Sequence, residues 1–133
     1  MGKLLERLQD PSRSGVYRVA SDEPVVDAVR GSRLALYDIS LQGSKKALLS
    51  RMAQALSLPT WFGGNWDALE DSLKDLPGDG QVLLFRGEAP ELAVLLDVLR
   101  AAAEFWKGEG KPFFAVFVDP RARLALPELF RQR

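Results

Sequence analysis

The stretch LPTWFGGNWDALEDSLKDLP, residues 58–77, concentrates the side chains best suited to bind another molecule. Asn65 is placed to cap a helix that runs to about residue 74. Its buried stripe would then be Trp66, Leu69 and Leu73, and four carboxylates share a neighbouring stripe. These acids are Asp67, Glu70, Asp71 and Asp75. Neighbouring like charges on a helix cost tenths of a kcal/mol per pair, so folding alone does not favour this stripe. It is suited to bind a cationic partner.

The residues before this helix also help to decide whether the acidic surface binds a partner. On charge alone, an ordinary solvated surface explains the acids, because most charged side chains lie at the surface. Trp61, Phe62, Gly63 and Gly64 precede the helix directly. A protein-binding patch typically combines aromatic side chains with charged ones. The combination therefore favours a protein-binding surface, although a staple and a tight turn also explain these four residues.

The composition excludes many kinds of enzyme, because the chain contains no cysteine and no histidine. A cysteine nucleophile, a Ser-His-Asp triad and a histidine-ligated metal all need residues that are absent. Asp67 and Asp71 are spaced to reach one magnesium ion, which leaves a metal-dependent enzyme as an alternative. The only candidate phosphate loop, GEGKP at 108–112, lacks the spacing of a P-loop. We therefore expect a protein that is not an enzyme and uses no cofactor.

The charge balance narrows the class of partner. The 133 residues include 18 basic and 18 acidic ones, so the net charge is zero and no global field attracts nucleic acid or an anionic membrane. Arginines in the last fourteen residues form a locally basic tail, which without an aromatic platform is more typical of a solvated terminus. The N-terminus does not have the pattern of a secretory signal, and the apolar runs are shorter than a membrane span. We expect a cytoplasmic protein that is monomeric when free.

Helix and strand patterns alternate along the chain and predict an α/β fold. RLALYDIS, QVLLFR and PFFAVFVD read as strands, and the last two are nearly free of polar residues, as in a strand covered on both faces. Amphipathic helices begin near Ser44 and Pro90. This order predicts a small, mainly parallel three-stranded sheet packed with helices, with GVYRVA as a candidate fourth strand at the N-terminal edge.

The opening stretch resembles the barstar family of ribonuclease inhibitors. That family carries Leu-Pro, an aromatic pair, Gly, Asn, then Asp-Ala-Leu and a further Asp one turn on. The likeness extends more loosely from Leu34 to Asp119 and implies a three-layer barstar-like fold. We therefore predict a barstar-like domain at 32–119. The resemblance says nothing about the rest, which we predict to be an N-terminal extension at 1–31, with a candidate strand and short helix, and a basic C-terminal tail at 120–133.

The resemblance implies an intracellular inhibitor, antitoxin or immunity protein that blocks the active site of a barnase-like ribonuclease, either secreted or of toxin type. Helix carboxylates would there take the places of RNA phosphates. Asp71 matches the principal phosphate-mimicking aspartate and Asp67 the supporting acid. Trp61 matches an aromatic that packs on the rim of the active site, and Gly63 and Asn65 match loop positions close to the enzyme.

Some positions depart from the family pattern and are included in the predicted surface. Glu70 stands where the family has an interface tryptophan, Asp75 replaces a glycine and Leu76 replaces an aromatic. A further family acid near the start of the last helix has Glu88 or Glu91 as its candidate counterpart. The alternative function is an adaptor that keeps this fold but recognises another basic protein without inhibiting it.

Overall fold

Four parallel strands form the central sheet. The structure is a computed structural model and describes residues 2–58 and 64–130. The strands are β1 (Gly15–Val19), β2 (Ala35–Ser40), β3 (Gln81–Arg86) and β4 (Phe113–Val118). They lie in the order β1-β4-β3-β2, and every pair is parallel. The predicted α/β class is therefore confirmed, and the candidate strand near the N-terminus is present as the edge strand β1.

Helices cover both faces of this sheet. They are α1 (Gly2–Leu8), α2 (Glu23–Val29), α3 (Lys45–Ala55), α4 (Trp66–Leu73) and α5 (Leu92–Gly108). The core on one face includes the buried side chains of α3, α4 and α5, and the core on the other face includes those of α1 and α2. The result is a three-layer arrangement.

Strand β3 shows why its sequence is apolar throughout. Leu83 and Phe85 point into the core beneath α3, α4 and α5, whereas Val82 and Leu84 point into the core beneath α1 and α2. Successive side chains of a strand face opposite sides, so a strand covered on both sides needs apolar residues at every position. All four side chains have no exposed surface.

The placement of the helices follows the order of the strands. From β2 through β3 to β4 the chain advances in one direction across the sheet, and the intervening helices α3, α4 and α5 share one face. From β1 to β2 it moves in the opposite direction, and α2 lies on the other face. Right-handed crossovers require this change of face when the direction reverses.

The segments that flank the predicted central domain pack on the same sheet. Strand β1 pairs with β4, and α1 buries Leu8 on the second face. Leu129, near the C-terminus, is fully buried, and its N–H donates to the carbonyl of Arg18. The helix α1 was not predicted from the sequence. The division into extension, domain and tail remains a prediction, but both flanking segments complete the second layer.

Candidate functional site

Helix α4 is fixed at its start by the predicted cap. The Asn65 side-chain oxygen accepts a hydrogen bond from the Ala68 N–H at 2.7 Å, which satisfies one of the free donors of the first turn. Leu69 and Leu73 are fully buried against the sheet, and Trp66 is half-buried at the edge of the same core. The predicted apolar stripe is confirmed, and it determines which residues of α4 face solvent.

Two tryptophans tie α4 to the long helix α5. The Trp106 indole N–H donates to the Leu73 carbonyl at 2.9 Å in the core. At the other end of α4, the Trp66 indole N–H donates to Glu91 Oε1 at 3.1 Å. Because each end of α4 is bonded to α5, the outward face of α4 is held in a defined orientation.

Two carboxylates on the outward face of α4 and one in the turn after it form a surface that we call the acidic ridge: Asp67, Asp71 and Asp75. All three residues are exposed. Among the described residues, no lysine or arginine nitrogen lies within 4.0 Å of any of these carboxylates. Asp67 and Asp71 are four residues apart, which separates them by about 6 Å along the helix. One cluster of cations is therefore able to contact both.

Glu70 differs from the ridge, although the sequence placed all four acids together. Its carboxylate accepts from Lys74 Nζ at 2.8 Å, and its side chain is only 33% exposed. The Lys74 ammonium also lies 5.9 Å from the ring centroid of Phe105 on α5. Glu70 thus lies on the flank of α4 that faces α5, where the chain itself balances its charge.

The remaining predicted site residues fall into different environments. Leu76 is 5% exposed and packs in the core beneath α3, α4 and α5, so its side chain is not part of the exposed surface. The loop after α4 turns inward toward β3, which explains this burial of an apolar side chain. Trp61 and Gly63 lie outside the described residues, and their predicted roles remain predictions.

The structure distinguishes the two acids considered near the start of α5. Glu91 accepts a hydrogen bond from Trp66, the residue directly before Asp67, and so lies beside the first turn of α4. Glu88 instead has Arg123 at 4.0 Å. Glu91 also adopts a left-handed backbone with φ of 51°, which is unusual for a residue with a side chain. No sequence signal separates these two glutamates, because the choice depends on how α5 packs beside α4.

The described residues contain no group of three or more acidic side chains arranged to hold a metal ion. None of the helices that the structure describes is both long and apolar enough to cross a membrane. The chemistry offered by this surface is therefore that of charge: carboxylates on a rigid helix, which accept hydrogen bonds from cationic side chains.

Comparison with known families identifies one match. The family model described as Barstar (barnase inhibitor) matches residues 34–118, which include β2, α3, α4, β3, α5 and β4. A search of curated proteins finds no match. The matched residues contain the acidic ridge and cover well over half of the chain.

Proposed function

The chain belongs to the barstar (barnase inhibitor) family, and from this premise we propose that it blocks the active site of a ribonuclease with its acidic ridge. The observation that carries the proposal is the set of exposed carboxylates at Asp67, Asp71 and Asp75, which have no cation beside them among the described residues. We assign Asp71 the principal contact and Asp67 the supporting one.

The chemistry of a ribonuclease explains why carboxylates suit this task. An enzyme that binds RNA needs arginines and lysines to hold phosphates, and the same cations bind carboxylates. An arginine donates two parallel hydrogen bonds to one carboxylate, which fixes both distance and direction. When the interface excludes water, the effective dielectric constant falls and the attraction increases. The ridge therefore acts as a substitute for the phosphates of RNA.

The bonds that hold α4 support this proposal because they reduce the cost of binding. The Asn65 cap and the two tryptophan hydrogen bonds order the helix before a partner arrives. A surface that is already ordered loses little conformational freedom on binding. Glu91, which accepts the Trp66 hydrogen bond, places one more carboxylate beside the first turn of α4.

The partner we propose is a barnase-like ribonuclease, secreted or of toxin type, and the protein is an inhibitor rather than an enzyme. We also propose that it acts in the cytoplasm as a monomer when free, as an antitoxin or immunity protein. Because the net charge of the chain is zero, we propose that the partner is attracted by the local charge of the ridge and not by a field over the whole molecule.

A titration of ribonuclease activity tests the proposal. A fluorogenic RNA is cleaved by a barnase-type ribonuclease while the protein is added, in parallel with its Asp71→Ala and Asp97→Ala variants. Asp97 provides the matched control because it is an exposed acid on α5 outside the ridge. We expect stoichiometric inhibition by the protein and by Asp97→Ala, with inhibition lost in Asp71→Ala. Equal inhibition by Asp71→Ala would contradict the role of Asp71, and capture of a basic protein without nuclease activity would instead favour the adaptor alternative.

A further inference from the structure

The side chain of Lys74 is held between an acid and an aromatic ring. Its ammonium lies 2.8 Å from Glu70 Oε2 and 5.9 Å from the centroid of the Phe105 ring. A carboxylate and the face of an aromatic ring both attract cations. Glu70 from α4 and Phe105 from α5 thus form a site for a positive charge, and in the free protein the occupant is part of the same chain.

This site is open to solvent. The side chain of Lys74 is 30% exposed and that of Glu70 is 33% exposed. Phe105 is 38% exposed, and together with Val94 it makes up the exposed large hydrophobic residues found in the described parts of the chain. An exposed aromatic ring beside charged groups is typical of a residue that anchors a protein interface.

The site also borders the acidic ridge. Lys74 follows Asp71 by three residues and is the C-cap of α4, about one helical turn beyond Asp71. Because Glu70 directly precedes Asp71, a partner that places cations at Asp67 and Asp71 also lies beside the flank of α4 that carries Glu70. Arginine suits this position better than lysine, because its planar group stacks on a ring while it donates to a carboxylate.

We propose that Glu70 and Phe105 form a cation subsite of the partner-binding surface, which Lys74 fills in the free protein and an arginine of the partner takes over in the complex. This inference rests on the proposed function, since it extends the same surface onto α5. Lys74 then acts as an internal competitor that lowers affinity for the partner.

Binding of a barnase-type ribonuclease by calorimetry tests the competition. Lys74→Gln is compared with Lys107→Gln, which removes the same charge from a lysine paired with Glu104 at 3.2 Å on α5. We expect Lys74→Gln to bind about fivefold more tightly than Lys107→Gln, since a helix ion pair and a cation–ring contact no longer compete. In a Phe105→Leu background, which keeps the apolar character, this advantage becomes smaller, because Lys74 then competes for Glu70 alone. Equal affinities for the two glutamine variants would overturn the inference.

A second measurement separates this inference from the proposed function. The NMR signal of the Lys74 ε-methylene, shifted by the Phe105 ring, is followed while a blocked tetra-arginine peptide is added to the full chain. We expect the signal to move toward that of a free lysine as the peptide is added. An unchanged Lys74 signal contradicts the subsite, whether or not the ribonuclease binds. Unchanged ribonuclease binding by Asp71→Ala contradicts the proposed function instead.

Discussion

Asp22 and Asp38 share the guanidinium of Arg86, whereas Asp67 and Asp71 stand one turn apart on α4 with no cation beside them among the described residues. Arg86 lies 2.5 Å from Asp22 and 2.9 Å from Asp38, and it bonds both oxygens of Asp38. This cluster joins strands β2 and β3 to the start of α2. The same residue type therefore pairs with an arginine of the fold in one region and has no such cation in the other, where we propose that a partner supplies one.

The difference shows that the neighbouring cation, rather than the acid itself, decides the role of an aspartate. Arg86 follows Asp22 by 64 residues and Asp38 by 48, so the chain must fold before the three charges meet. Asp67 and Asp71 belong to a single helix, and their proximity gains nothing from folding, because their charges repel. Substitutions in the Arg86 cluster should therefore change the stability of the fold, whereas substitutions in the acidic ridge should change the binding of a partner.

The largest effect is expected when the ridge loses two charges. The double variant Asp67→Asn/Asp71→Asn should weaken binding of a barnase-type ribonuclease by about 2 kcal/mol or more, the range of interface hot spots. Its association rate should also depend less on salt. The free energy of unfolding should stay level or rise by tenths of a kcal/mol as repulsion is relieved.

Asp97→Asn/Glu104→Gln is the matched control, because it removes two charges from exposed acids on α5. Stopped-flow kinetics at two salt concentrations and urea unfolding measure both properties. Equal weakening of binding by the two double variants would show that net charge matters and that the ridge does not.

A smaller effect is expected at the residue that holds the ridge in place. Asn65→Ala removes the acceptor for the Ala68 N–H and should lower the free energy of unfolding by about 1 kcal/mol. Binding should weaken as well, since the first turn of α4 carries Asp67. Asn65→Asp, which keeps an acceptor at the cap, should retain stability in urea unfolding. A loss of stability as large in Asn65→Asp as in Asn65→Ala would argue against the cap.

The smallest effect is expected on stability when the pH is lowered. The hydrogen bond from Arg86 holds the pKa of Asp22 below its ordinary value of 3.8. Because the folded state then binds fewer protons than the unfolded state, the contribution of Asp22 to stability is present above pH 3.8 and is lost as the pH falls toward the lowered pKa. Arg86→Gln should remove this part of the acid dependence of the thermal midpoint. An acid profile that Arg86→Gln leaves unchanged would contradict this role for the cluster.

Local spacing was sufficient to predict much of α4. Asn65 as cap and Leu69 and Leu73 as the buried stripe follow from helix periodicity, and the structure confirms all three. The alternation of strands and helices likewise predicted the parallel sheet. These features depend on residues a few positions apart, so sequence patterns describe them well.

Features that depend on how α5 packs beside α4 were not predictable in this way. The sequence placed Glu70 with the outward acids, but the position of Phe105 of α5 beside Lys74 sets it apart. The Glu70–Lys74 pair itself is a local i, i+4 contact. Leu76 was expected at the surface, but the turn from α4 into β3 buries it. The periodicity of α5 alone does not reveal that Phe105 stays exposed beside Lys74.

The most direct test of the central claim exchanges one acid from each group for its amide. Asp71→Asn and Asp38→Asn are compared in binding to a barnase-type ribonuclease and in urea unfolding. We predict that Asp71→Asn weakens binding at least about tenfold without loss of stability, while Asp38→Asn lowers stability and leaves binding unchanged. If Asp71→Asn leaves binding intact, or if both variants weaken it equally, the ridge is not the surface that recognises the partner.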